Sequence, residues 1–353
     1  MKTSIEQLPV ELWISIFSYF EAHDLFQAFT NLNNYFDQLI ASDYLLFNVR
    51  LGKSDHNPLE YSIQPYWSNS ILNRIISLHP IIQHKTSHIP EFLRWHCTKL
   101  IQLKSLKVKL RRREIPTICI ALQQLKSLSH LFIECIPNQM LLETILSLPV
   151  LRVCQLVFLR AITSINCYSN QMSKIEKFYI KLQDDSHNSI INLLLSRMPK
   201  LKKLEINNSE SYFNEHDSLF IKPLFILSEL QTIKISWSSR NSDRQFFENF
   251  HQILPNLKCL YFNFIYDYFT EDFFNILIHH WWPTIENLER INIFIKFQRP
   301  QMTIDNDMQI NLDKFQSILL AMNDKYNGFV NFKWTEKFFI AYKMIEISIC
   351  KYC

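Results

Sequence analysis

One short pattern limits what this chain can fold into. It is an apolar residue, two free positions, an apolar residue, one free position and a third apolar residue. It occurs at Leu103/Leu106/Val108, Leu128/Leu131/Ile133, Leu151/Cys154/Leu156 and Ile175/Phe178/Ile180. It continues at Leu201/Leu204/Ile206, Leu230/Ile233/Ile235, Leu257/Leu260/Phe262 and Leu288/Ile291/Ile293. Successive first positions are 25, 23, 24, 26, 29, 27 and 31 residues apart. The last two anchors of each set are two residues apart, the period of a strand with one face buried. Between them lie runs with apolar residues at helical spacing, at 140–148, 189–198, 244–254 and 271–282, mostly stopped by proline. The expectation is one strand and one helix per unit, stacked in order, so that neighbours bury a core no single unit could bury.

With this core, this period and stretches such as "LPVLRVCQL", "MPKLKKLEI" and "LPNLKCLYF", residues 99–300 resemble the leucine-rich repeat superfamily in its irregular, ribonuclease-inhibitor-like form. The resemblance implies an α/β solenoid with a curved parallel sheet. It departs from the family at the consensus Asn, eight positions after the first anchor. Those positions hold Arg111, Ile136, Leu159, Gln183, Ser209, Ser238, Ile265 and Lys296. The free strand positions face away from the helices, towards what would be the concave side. Four residues after each first anchor these are Lys107, Phe132, Gln155, Tyr179, Glu205, Lys234, Tyr261 and Asn292. Aromatic and charged side chains in such a row suit a protein partner. Phe132, Tyr179, Glu205, Lys234 and Tyr261 are the candidate partner-binding residues.

Before the repeats, residues 1–45 read as three short helices, at 9–20, from 24, and at 32–40. Pro9 is placed at the first helical position. The first helix, "LPVELWISIFSYF", is apolar nearly all round, although a surface helix needs only one apolar stripe. A module of about 40 residues also gains little stability alone. Leu8-Pro9, Glu11-Leu12, Ile16-Phe17, Asp24-Leu25 and the aromatic pair Tyr35-Phe36 resemble an F-box. The sequence differs from that family in having "EAH" before Asp24 and Tyr/Phe where a third-helix Trp is usual. The resemblance implies a three-helix module docked on the small adaptor that joins it to the cullin of a ubiquitin ligase. It assigns adaptor contact to Leu8, Pro9, Leu12, Ile16, Phe17 and Leu25. The implied function is substrate selection for an SCF-type ligase, with the chain itself catalysing nothing. The alternatives are a leucine-rich scaffold whose N-terminal helices only cap the repeats, and an enzyme hidden in an unfamiliar α/β fold.

The remainder is read as a helical connector at 46–98 and a capping segment at 301–353. In the connector, "ILNRIISLHPIIQ" and "IPEFLRWHC" look helical. In the capping segment, "NLDKFQSILLAMNDKY" is a helix candidate and "EKFFIAYKMIEISIC" an apolar run of open type. Only Gly52 and Gly328 are glycines, too few for a phosphate-cradling loop or a nucleophile elbow. Net charge is +4 over 353 residues, which does not call for nucleic acid. The basic run "KSLKVKLRRRE" suits nucleic acid, an acidic degron or an import receptor, but reads first as the solvated edge of the first repeat. Neither a signal peptide nor an uninterrupted apolar span is evident, so no membrane is expected and the cytoplasm or nucleus is. The eight cysteines then read as reduced, mostly buried thiols. "CKYC" at 350–353 lacks a second Cys/His pair at familiar spacing. No metal, cofactor or catalytic residue is assigned.

Overall fold

The computed structural model describes residues 7–51, 68–80, 88–159, 171–182, 188–208, 226–237, 254–266, 289–297, 330–339 and 342–351, with 313, 317 and 320 besides. The chain divides into two compact units, Met1–Gln155 and Leu156–Cys353. Both are α/β.

The first unit begins with three eight-residue helices, α1 (Val10–Phe17), α2 (Ala22–Phe29) and α3 (Asn34–Ala41). Helices this short hold only through packing. Pro9 lies one position before its expected place: it is the N-cap of α1, with φ −52° and ψ 143°. Its fixed φ still suits the entry, and its carbonyl accepts from the Leu12 and Trp13 amides. The turn into α3 needs a positive φ, which Asn31 supplies at 62° while its N–H donates to Asp37 Oδ1. Asn33 then caps α3, accepting from the Phe36 N–H at 3.0 Å. As "EAH" implies, no side chain caps α2. Its N-cap Glu21 instead pairs with Arg50 at 2.9 Å.

Next come β1 (Phe47–Leu51), α4 (Asn69–Leu72), β2 (Ile75–Pro80), α5 (Ile89–His96), β3 (Ser105–Lys109), α6 (Ile115–Gln124), β4 (His130–Cys135) and α7 (Gln139–Ser147). Strands β1 to β4 form a parallel sheet in chain order. The connector is helical only in part: "IPEFLRWHC" supplies α5 as expected, but 46–98 also contributes two strands to the sheet, and "ILNRIISLHPIIQ" contains β2. Two features hid them. In β2, Leu78 stands opposite the second anchor Leu106, so the third anchor position falls on Pro80, and a register shift pairs Phe47 with Ile75 but Asn48 with Ser77. That extra residue breaks the anchor spacing. A second correction concerns the basic run: β3 lies between β2 and β4, so it is no edge.

The division falls within β5 (Val153–Phe158). In the second unit β6 (Lys177–Leu182), α8 (Asn188–Ser196), β7 (Lys203–Asn208), β8 (Thr232–Trp237), β9 (Cys259–Tyr266) and β10 (Arg290–Phe297) follow one another. Strands β6 to β10 are parallel, in chain order. The pattern then changes. β12 (Tyr342–Lys351) pairs antiparallel with β10, and β11 (Val330–Phe339) pairs antiparallel with β12. "EKFFIAYKMIEISIC" is thus strand, in a hairpin that ends the parallel run. A hairpin needs no crossover helix, so the segment can add to the sheet without another unit. Asp313, Ser317 and Leu320 are helical, within the expected helix. The predicted helices 244–254 and 271–282 lie outside the described residues, apart from Leu254.

The anchors form the interior. Every residue of the first seven sets is at most 5% exposed. They stand opposite one another from strand to strand: Leu106 faces Leu131, and Phe178, Leu204, Ile233 and Leu260 form a continuous row. Burying each such side chain is worth about 1.5–3 kcal/mol relative to leaving it in water. Of the eighth set, Ile291 and Ile293 fall in β10 and Leu288 lies outside the described residues. No helix among the described residues is long and apolar enough to cross a membrane.

Candidate interaction surfaces

The first surface is the outer side of α1. Trp13 and Phe17 point inward, into an aromatic cluster with Phe29 and Phe36. Ring centroids are 4.9 Å apart for Trp13–Phe36, 4.8 Å for Phe17–Phe29 and 5.3 Å for Phe29–Phe36. The indole N–H of Trp13 is buried without a partner. One helical row further round, at i, i+4 spacing, Leu8, Leu12 and Ile16 stay in solvent, with Leu12 half exposed at 50%. Val10, Tyr19 and Phe20 are exposed beside them. Pro9 is exposed as well.

The six residues expected to touch an adaptor therefore separate into two groups. Leu8, Pro9, Leu12 and Ile16 are accessible. Phe17 and Leu25 are not: each is 1% exposed inside the first unit. The physical reason is helical phase. Phe17 is four residues from Trp13 and shares its inward row, and Leu25 is buried together with Phe26 on the inner side of α2. Those two shape the module and do not present themselves to a partner.

A residue the sequence reading passed over ties these helices to the strands. Arg74 is 3% exposed, just before β2. Its Nη1 donates to the Ile40 carbonyl at 2.9 Å and to the Ser42 carbonyl, at the C-terminal end of α3. Its Nε donates to the Ser70 carbonyl at 3.0 Å, and its guanidinium lies 4.8 Å from the Phe47 ring centroid. A cation at a helix C-terminus satisfies carbonyls that have no partner within the helix. Burial lowers the Arg74 pKa, and the nearby Asp43 charge opposes that shift. Nothing in a lone arginine within an apolar run distinguishes this role in advance.

The second surface is the sheet face opposite the buried anchors. In the first unit Lys107 faces Phe132 across β3 and β4, with its ammonium 4.6 Å from the ring centroid. Lys109 pairs with Glu134 on the same face. In the second unit Tyr179, Glu205, Lys234, Tyr261 and Asn292 stand in register on five successive strands. Lys234 Nζ donates to Glu205 Oε1 at 2.8 Å. Of the five candidate partner-binding residues, four therefore form one row of the second unit, and Phe132 belongs to the first. All five are partly exposed.

The described cysteines are free, and Cys97, Cys119, Cys135 and Cys154 are buried. Burial, with smaller contributions from Glu134 and Cys119, pushes the Cys135 thiol up to about 12. Burial likewise raises Cys154, and raises Cys119 against the opposing hydrogen bond from Thr144. These thiols stay protonated near neutral pH and are poor nucleophiles. No group of three or more His, Cys, Asp or Glu side chains among the described residues could hold a metal ion. Of "CKYC", Cys350 lies in β12 and Cys353 lies outside the described residues. Comparison of the sequence with protein-family models and with curated proteins returns no match.

Proposed function

We propose that α1 to α3 are an F-box, that the strand–helix units are irregular leucine-rich repeats, and that the chain is the substrate-recognition subunit of an SCF-type ubiquitin ligase. In this reading the Leu8/Leu12/Ile16 row docks on the adaptor, and through it on a cullin. The sheet face opposite the anchors takes a target protein. The chain performs no bond chemistry. It holds the target near a ubiquitin-charged enzyme and raises the effective concentration of the target's lysines. Such a role belongs to the cytosol or nucleus.

The observation that carries this reading is the pairing of two apolar rows on one short helix. The Trp13/Phe17 row accounts for folding. The Leu8/Leu12/Ile16 row accounts for nothing inside the first unit, and a contiguous exposed apolar patch marks an interaction site. Buried aliphatic anchors of this type carry most of the energy of a docked helix.

The test is co-purification and titration of the chain with the adaptor, wild type against Leu12→Asp/Ile16→Asp. Because both residues are exposed, the variant keeps its circular dichroism spectrum and melting temperature. Its adaptor affinity falls by roughly 30-fold or more, the scale of losing hot-spot contacts worth about 2 kcal/mol. A folded wild-type chain that does not bind the adaptor overturns the reading and leaves the helices as a cap on a repeat scaffold.

A further inference from the structure

The second-unit sheet face carries more positive charge than its fold uses. At its β6–β7 end Lys177, Lys181 and Lys203 lie on it, against one carboxylate, Glu205, which Lys234 already engages. Lys177 stands directly opposite Lys203 on neighbouring strands, and both are exposed. Like charges directly opposite destabilise a sheet. Among the described residues no carboxylate pairs with either one.

The next row along the strands, beyond the tyrosines, carries amides and a hydroxyl beside Lys181. Asn207, Ser236 and Asn263 stand in register there. The Asn263 Oδ1 is shielded from solvent and has no hydrogen-bond partner. An orphaned, shielded acceptor calls for a donor. The face therefore combines the facing Lys177 and Lys203, two tyrosine rings and an acceptor in want of an N–H within a few strand spacings.

We propose that this face holds an extended acidic segment of a target protein. Anionic side chains, carboxylate or phosphoryl, meet the Lys177–Lys203 end. Apolar side chains lie against Tyr179 and Tyr261, and a backbone N–H reaches Asn263. A nucleic-acid strand fits less well, because the Glu205 carboxylate sits at the centre of the face. This inference rests on the target-binding half of the proposed function. The assay contains no adaptor, so its failure leaves adaptor docking untouched.

The experiment is fluorescence anisotropy of the full chain against an array of labelled twelve-residue peptides. Polar positions carry Asp or Glu in one arm, phosphoserine in a second, and Gln or Ser in a neutral third; a single-stranded RNA of twelve nucleotides forms a fourth. Acidic peptides are expected to bind and neutral ones not, with affinity falling as salt rises. The tighter acidic arm identifies the anion. Lys177→Glu/Lys203→Glu is expected to weaken binding tenfold or more. Lys126→Glu/Lys200→Glu, the same charge change off this face, should alter it less than twofold. Lys177→Ala/Lys203→Ala removes the mutual repulsion, so it should lose affinity without losing thermal stability. Three outcomes overturn the proposal: no preference for acidic over neutral peptides, equal losses in the two charge-reversal variants, or RNA binding tighter than every peptide and sensitive to Lys177 and Lys203.

Discussion

In the N-terminal helices, Trp13, Phe17, Phe29 and Phe36 fill the interior while Leu8, Leu12 and Ile16 remain outside. In the repeat sheets the arrangement is the opposite. The interior is mainly aliphatic, repeated from strand to strand with Phe158, Phe178 and Phe262 among the anchors and strand ends, and the outer face carries tyrosines, lysines, glutamate and amides. The difference follows from size. Three helices of eight residues enclose little volume, so large rings are the efficient filling. A stacked sheet has neighbours on both sides of each strand, and branched or medium side chains suffice. What each region leaves exposed is then informative. Solvent contact accounts for a polar sheet face in general, though not for Lys177 opposite Lys203; it does not account for an apolar row on the outside of a short helix.

The comparison is broken most forcefully from the inside. Phe36→Ala removes a ring that contacts Trp13 and Phe29, at a cost of about 4 kcal/mol. Leu204→Ala in the second unit costs about 3 kcal/mol, because Phe178 and Ile233 support the site on two sides. Urea unfolding of both variants checks the order. Equal or reversed losses would show that the aromatic cluster is not the more sensitive core.

Arg74→Ala is next. It leaves the Ile40, Ser42 and Ser70 carbonyls without their donor in a buried position, a loss of about 3 kcal/mol. Arg74→Lys supplies charge without the guanidinium fork and should recover only part of it. Full recovery by lysine would mean that charge alone matters at the end of α3. Chemical denaturation distinguishes the two.

The smallest expected effect concerns pH. Burial, then the charges of Lys107 and Arg50, hold His79 below its ordinary range. The fold therefore favours neutral imidazole, whereas the unfolded chain binds a proton near pH 6.5. The stabilisation is present above about pH 6.5 and is lost as pH falls below it through the folded value. His96, lowered by burial and Lys99, acts in the same direction. The wild-type melting temperature should drop between neutral and mildly acidic buffer, and His79→Gln should drop less. Parallel slopes would remove His79 from the account.

Much of this could be read in advance because it is periodic. The L-x-x-L-x-L anchors located strands β3 to β10 within their units, since alternation leaves one choice of inward face. Pro9 and the apolar run after it located α1, and runs at helical spacing located α7 and α8. Where the period faltered, the reading failed. Pro80 at an anchor position and the register shift concealed β1 and β2, and the terminal hairpin has strand alternation but no unit to announce it.

The sequence by itself determined the order of strand and helix, the inward set of anchors and the excess of apolar surface on the first helix. These depend on spacing along the chain, and spacing is written in the chain. Only the tertiary structure decided that Phe17 and Leu25 turn inward while Leu12 and Ile16 do not. It alone seated Arg74 against the end of α3, set Lys177 opposite Lys203 and left Asn263 without a donor. Each of those depends on which residues from distant positions come to lie side by side, and packing settles that where local pattern cannot.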